Sequence, residues 1–202
     1  DESPEGRKVI ADIGEQFADI RKSLDIVASG SDAAANVVAE MRGLAEVDGK
    51  IRERLLVGAV IDGAMRRVKA DRQPEVVRPV HFEEALGQLN VAVEGNPYML
   101  IHAISHVLIN AVRYSVLAVD TPTVWLSTRM TEQFWILSIQ NNGPVIESGA
   151  MQTILELGDV EELGRNLPVA KALLKEQGAR LRLCDTGQIT GRVTFEVELP
   201  LA

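Results

Sequence analysis

His102 and His106 stand four residues apart, one helical turn, a spacing at which two imidazoles on one helix face can share a metal ion. No glutamate falls where it could complete such a ligand set, so the pair reads better as two partly buried helix histidines. His81 is the only other histidine in the chain. The sole cysteine, Cys184, can make no internal disulfide and has no Cys or His at ligand spacing, which excludes structural zinc and fits a reducing compartment. It lies in a strand-like run that implies burial, and no Ser-His-Asp or Cys-His arrangement follows from local spacing, so covalent catalysis has no support. The paired acids Glu83-Glu84 and Glu161-Glu162 read as solvated surface. Trp125 and Trp135 fall on adjacent predicted strands and are expected to pack as a cross-strand pair.

These residues need a scaffold, and composition supplies one. A chain of 202 residues that is 46% hydrophobic and 25% charged can bury a substantial core and form one or two compact domains. A net charge of -8 and a pI near 5.0, with no basic cluster longer than Arg66-Arg67-Val68-Lys69, exclude nucleic acid as a partner. No stretch approaches the roughly 18 to 20 uninterrupted apolar residues of a membrane span, and the start, DESPEGRK, lacks the basic-then-apolar order of a signal peptide. The expectation is a soluble, cytoplasmic chain, to which an upstream sensor or membrane region could have been attached.

Apolar residues Val9, Ile10, Ile13, Phe17, Ile20, Leu24 and Val27 recur at three- and four-residue steps, which predicts an amphipathic helix from Pro4 to about Ala28. Ser29-Gly30-Ser31-Asp32 breaks it, and a second helical pattern runs through Ala35, Val38, Met41 and Leu44 to Val47. Such a hairpin leaves an apolar stripe uncovered, so pairing with a second chain as a four-helix bundle, a homodimer, is expected. A third helix is predicted from Lys50 to about Ala70. Strand-type residues at Val76 to Phe82 and Leu89 to Val93 suggest a hairpin. Next come a strong helix, Tyr98 to about Val116, strands at Thr123 to Thr128 and Phe134 to Gln140, and a helix at Leu163 to Gln177 stopped by Gly178. Two closing strands, Ala179 to Asp185 and Gly191 to Leu199, flank a Thr186-Gly187 turn. The fold class is α+β, with boundaries at residues 1–48 for the hairpin and 49–202 for an α/β sandwich.

Four segments then acquire meaning together. Leu100 to Ser115, LIHAISHVLINAVRYS, resembles the asparagine-box helix of bacterial sensor histidine kinases, with Asn110, Ala111, Arg113, Tyr114 and Ser115 at matching places and Val93-Glu94-Gly95-Asn96 as its lead-in. Ser138 to Ile146, SIQNNGPVI, is similar to that family's D-N-G-P-G-I loop. Gly164 to Lys171, GRNLPVAK, is similar to the G-L-G-L-x-x-x-K start of the helix behind the ATP lid, and Gly191 to Pro200, GRVTFEVELP, to the closing strand. The resemblance implies a Bergerat-type sandwich with ATP in a cleft between helices and lid. It implies that Asn110 offers its side-chain oxygen to a phosphate-bridging Mg²⁺, the hard donor this cation prefers. It also places Arg113 toward phosphate and Tyr114 near adenine, with Gly143, Gly164 and Leu167 in the two loops. The plainer readings are a helix-face amide for Asn110 and core packing for Tyr114.

Several positions depart from the family pattern. Asn141 stands where an aspartate accepts the adenine amino hydrogen; an amide oxygen still accepts, without charge and more weakly. Val145 and Asn166 replace glycines that let backbone amides approach the ligand, and His106 replaces the first asparagine of the helix motif. Gly14 to Ile26, GEQFADIRKSLDI, resembles the phosphoacceptor segment with Ala18 in the histidine's place, and a methyl group cannot accept phosphate. Ala18 is either natural or an engineered replacement, and the concurrent loss of the aspartate and glycines favours the natural origin. The resemblance therefore implies a two-component signalling protein, pseudokinase-like and impaired in autophosphorylation, that binds a response regulator or a partner histidine kinase. The alternative is a sensor histidine kinase, a phosphotransferase, that still binds Mg-ATP.

Overall fold

The computed structural model describes residues 52–70, 79–146, 166–188 and 190–202. The predicted hairpin with Ala18, and Gly164 in the lid motif, lie outside these residues. The described elements are strand β1 (Glu53–Leu56), helix α1 (Val57–Ala70), strands β2 (His81–Ala85) and β3 (Ala92–Gly95), helix α2 (Pro97–Ala118), strands β4 (Thr123–Met130) and β5 (Phe134–Asn141), helix α3 (Asn166–Glu176), and strands β6 (Arg180–Thr186) and β7 (Val193–Pro200).

Five strands form one sheet in the order β2-β4-β5-β7-β6, all antiparallel except the β2–β4 pair. Period-two alternation gives this sheet two different faces. Val124 and Leu126 of β4, Trp135, Leu137 and Ile139 of β5, and Phe195, Val197 and Leu199 of β7 are all buried on one side. Helix α2 lies against that side, flanked by α1 and α3, and contributes Leu100, Ala103, Ile104, Val107, Leu108 and Ala111 to the same core. At 22 residues α2 is long and apolar enough to cross a membrane, but most of it is buried inside the fold, which makes it the core helix of a sandwich. The opposite face carries cross-strand charge pairs. Arg129 donates to both oxygens of Glu196 at 3.1 and 3.0 Å, and Arg182 to Glu198 at 3.0 Å.

Strand β1 corrects the predicted third helix. Glu53–Leu56 is extended and pairs with β3, Leu55 opposite Val93, and the helix begins only at Val57, whose N–H bonds Val91 O at 3.0 Å. Leu55 fits a helical period as well as a strand, and the partner that decides between them is distant in sequence, so no local pattern reveals it. The predicted hairpin of Val76 to Phe82 with Leu89 to Val93 is also corrected. In the described part, β2 joins the large sheet beside β4 while β3 joins β1 in a separate two-stranded sheet. The two tryptophans do not pair. Trp135 is opposite Met130 and fully buried under the helices, whereas Trp125 faces the other way, donating to Glu83 at 2.7 Å with the Arg192 guanidinium 3.8 Å above its ring.

Helix α2 is anchored at its start. Asn96 is the N-cap, accepting from Met99 N at 3.1 Å, and Pro97 fits the first turn, where its missing N–H costs nothing. Gln177, at the end of α3, accepts from Asn96 N at 2.8 Å and donates to Met99 Sδ at 3.0 Å, so one buried amide ties the two helices together. Replacing Asn96 with alanine is expected to cost about 1 kcal/mol, read as a lower urea midpoint with an unchanged slope.

Candidate functional site

Asn110 projects from the buried side of α2 and is 3% exposed, and its Oδ1 has no hydrogen-bond partner among the described residues. Asn141, the last residue of β5, is 2% exposed, and its Oδ1 likewise lacks one. An unpaired buried acceptor costs about 1–3 kcal/mol, so native folds rarely keep one without a use. Trp135 Nε1 is another unpaired buried atom, but it sits at the far end of β5, about 20 Å of extended chain from Asn141.

The loop after β5 brings this end of the strand against α2. Asn142 clamps the loop to the start of β4, its Oδ1 accepting from Thr123 N at 2.9 Å and its Nδ2 donating to Thr121 O at 2.9 Å. Gly143 then crosses α2 at Tyr114. A Cβ on Gly143 would stand 3.0 Å from Tyr114 Cβ and 3.2 Å from its carbonyl carbon, and would strike Asn141 Nδ2. Only a hydrogen fits there. Tyr114 follows Asn110 by one turn of α2, so Asn110, Tyr114, Gly143 and Asn141 gather at one corner of the sandwich. Arg113, half-buried, is on the adjoining part of the same turn. Sequence reasoning missed Asn142, whose clamp depends on the distant Thr121 and Thr123; an Asx residue entering a loop was the available signal.

The altered motif positions also meet one another. Asn166 opens α3, and its Oδ1 is 3.0 Å from His106 Nδ1, while Leu167 beside it is fully buried in the core. His106 precedes Asn110 by one turn, so the contact stands at the neighbouring turn of α2. His102 turns elsewhere, its Nε2 3.0 Å from Arg67 Nη1, and because guanidinium can only donate, that nitrogen is the acceptor. Among the described residues no group of three or more His, Cys, Asp or Glu is placed to hold a metal. Val145 does not crowd the corner: its Cγ2 would lie 3.5 Å from a Cβ on Gly187, over the β6–β7 turn, and the residue is 53% exposed. The Cys184 thiol, expected to be buried, is on the exposed side of β6. Partial desolvation and the neighbouring Glu196 carboxylate push it up to about 11, so it is no nucleophile at neutral pH.

A buried amide oxygen such as that of Asn110 is a hard donor of the kind a divalent cation prefers, and that of Asn141 can accept from an N–H donor.

No protein-family model matches the sequence, and no curated protein matches it. Solved structures do. The mycobacterial sensor histidine kinase MprB superposes with a TM-score of 0.60 at 20% identity, over 75% of this chain and 98% of that one. The catalytic domain of histidine kinase ThkA gives 0.61 at 13%, over 75% and 98%, and the Acinetobacter baumannii histidine kinase AdeS gives 0.58 at 18%, over 83% and 78%. The chain thus has the α+β fold of histidine kinase catalytic domains. At these identities the likeness is one of fold.

Proposed function

We propose that this chain is a two-component signalling protein of the histidine kinase family. In this reading residues 49–202 retain a purine-nucleotide pocket, while residues 1–48 form a dimerising hairpin that bears no phosphoacceptor. The observation that carries the reading is the pair of buried, unpaired amide oxygens of Asn110 and Asn141 at the corner closed by Gly143. Asn110 would hold the Mg²⁺ that bridges the phosphates, Arg113 would face phosphate, and Asn141 would read the base. Gly164 would belong to the lid that covers them, and Asn166 and Leu167, at the start of α3, to the helix behind it. With Ala18 at the acceptor position, the bound nucleotide sets the conformation of a cytoplasmic homodimer rather than labelling it. The output is then binding to a response regulator or a partner histidine kinase.

The test is calorimetric titration of the full chain with ATP and Mg²⁺, paired with incubation in γ-labelled ATP. Saturable binding without label on the protein is expected. Stable incorporation of label would overturn the impaired-kinase reading. A second reading, a nucleotide-free scaffold, is favoured by one contact: the His106–Asn166 bond joins α2 to the start of α3 beside the corner. Silence in the titration up to millimolar ATP would select it.

A further inference from the structure

We propose that the pocket does not choose between purines: it takes nucleotides with either an amino or an oxo group at C6 of the base, and Asn141 is the residue that permits both. This rests on the nucleotide-binding reading above. A carboxamide carries an acceptor and a donor side by side in one plane. The Watson–Crick edge of adenine presents an N6–H donor next to the N1 acceptor, and Oδ1 with Nδ2 of an asparagine matches it bidentately. Guanine and hypoxanthine present the O6 acceptor next to the N1–H donor. The same amide matches that edge after half a turn about its terminal torsion.

The structure leaves this half turn open. Asn141 Oδ1 has no hydrogen-bond partner among the described residues, so rotation sacrifices no bond at that atom, and the terminal torsion of an asparagine is broad and roughly two-fold. Nδ2 packs against Gly143, and because the oxygen and the amino group of a carboxamide are nearly equal in size, the half turn exchanges them there without new crowding. The cross-strand neighbours of Asn141 are Val124 and Val193, neither of which can donate, accept or carry charge from its side chain. Among these sheet neighbours the carboxamide of Asn141 is therefore the one side chain that can read the C6 group, and it can present either pattern. A carboxylate at this position could only accept: against hypoxanthine it would set a lone pair at O6, whereas guanine could offer it the adjacent N1–H and N2–H donors.

The experiment is competition binding of ATP, GTP and ITP, each with Mg²⁺, to the full chain and to Asn141→Asp. In the unaltered protein the dissociation constants for ATP and ITP are expected to agree within about fivefold, and GTP to follow unless its 2-amino group is excluded, which the ITP result isolates. Asn141→Asp is expected to raise the dissociation constant for ITP relative to that for ATP by about tenfold or more. ATP binding at least about 50-fold tighter than both ITP and GTP in the unaltered protein would sink the proposal while leaving nucleotide binding intact. An Asn141→Asp variant that folds yet keeps the original ratio of ATP to ITP would do the same. Failure of all three nucleotides to bind would remove the pocket itself, and this inference with it. Should the variant not fold, the ratios in the unaltered chain decide alone.

Discussion

Asn110→Leu is expected to melt at a higher temperature than the unaltered protein without nucleotide, and to show no further rise on adding Mg-ATP. The amide oxygen of Asn110 is buried without a partner among the described residues, and leucine fills a similar space with no acceptor to desolvate. Removing that burden should add about 1–2 kcal/mol, roughly 2–8 °C in Tm for a domain of this size. The unaltered chain, by contrast, should gain stability from ligand by mass action. Differential scanning fluorimetry with and without Mg-ATP measures both effects. A lower melting temperature for the variant would mean that the oxygen is satisfied in solution and that the corner is ordinary packing.

The second large effect concerns Gly143. A methyl group there must displace Asn141 Nδ2 and presses on the backbone of α2 at Tyr114, which cannot yield as a flexible side-chain tip can. Gly143→Ala is expected to lose about 1–3 kcal/mol in denaturant unfolding and to abolish nucleotide binding. Gly191→Ala supplies the comparison. Gly191 has a φ of +69° and nothing within 4 Å of where a methyl carbon would stand, so its cost, about 1–2 kcal/mol, comes from backbone conformation alone. Nucleotide binding should survive it. Equal binding in both variants would detach Gly143 from the site.

The parts of the fold legible in the sequence were those whose signal is local. Helix α2 announces itself by its length and apolar run and by the Gly95-Asn96-Pro97 lead-in that caps it. Strands β4 and β5 show in their residue types, and Gly178 stops α3 with a φ of +73°. What escaped depends on distant partners. Glu53–Leu56 is a strand only because β3 lies beside it, and β2 leaves the predicted hairpin because β4 offers it a parallel neighbour. The tryptophans went astray by one residue of register. With Met130 opposite Trp135, the even-numbered residues of β4 share that face and Trp125 takes the other. At the site, Asn110, Tyr114, Asn141 and Gly143 were named from their motifs and the fold brings them to one corner. Two facts could not be read from motifs: that the departures His106 and Asn166 touch, and that Val145 turns onto Gly187.

The order of strands also governs how the domain can assemble. Strands β4 and β5 meet through a tight reversal at Thr131 to Phe134, and β6 and β7 through the turn from Gly187 to Gly191. In contrast, β5 must find β7, with Ile139 opposite Phe195, and β2 must find β4, with Phe82 opposite Val124, across long separations. A sheet of this wiring cannot zip up from one end. Its central hairpin, with α2 laid on it, is the natural template, and the remaining strands are recruited by diffusion of the chain, so folding belongs in the slower, milliseconds-to-seconds regime of non-local topologies. Lesions in the short rim strand β2, which docks on one side only, should then speed unfolding more than they slow the search.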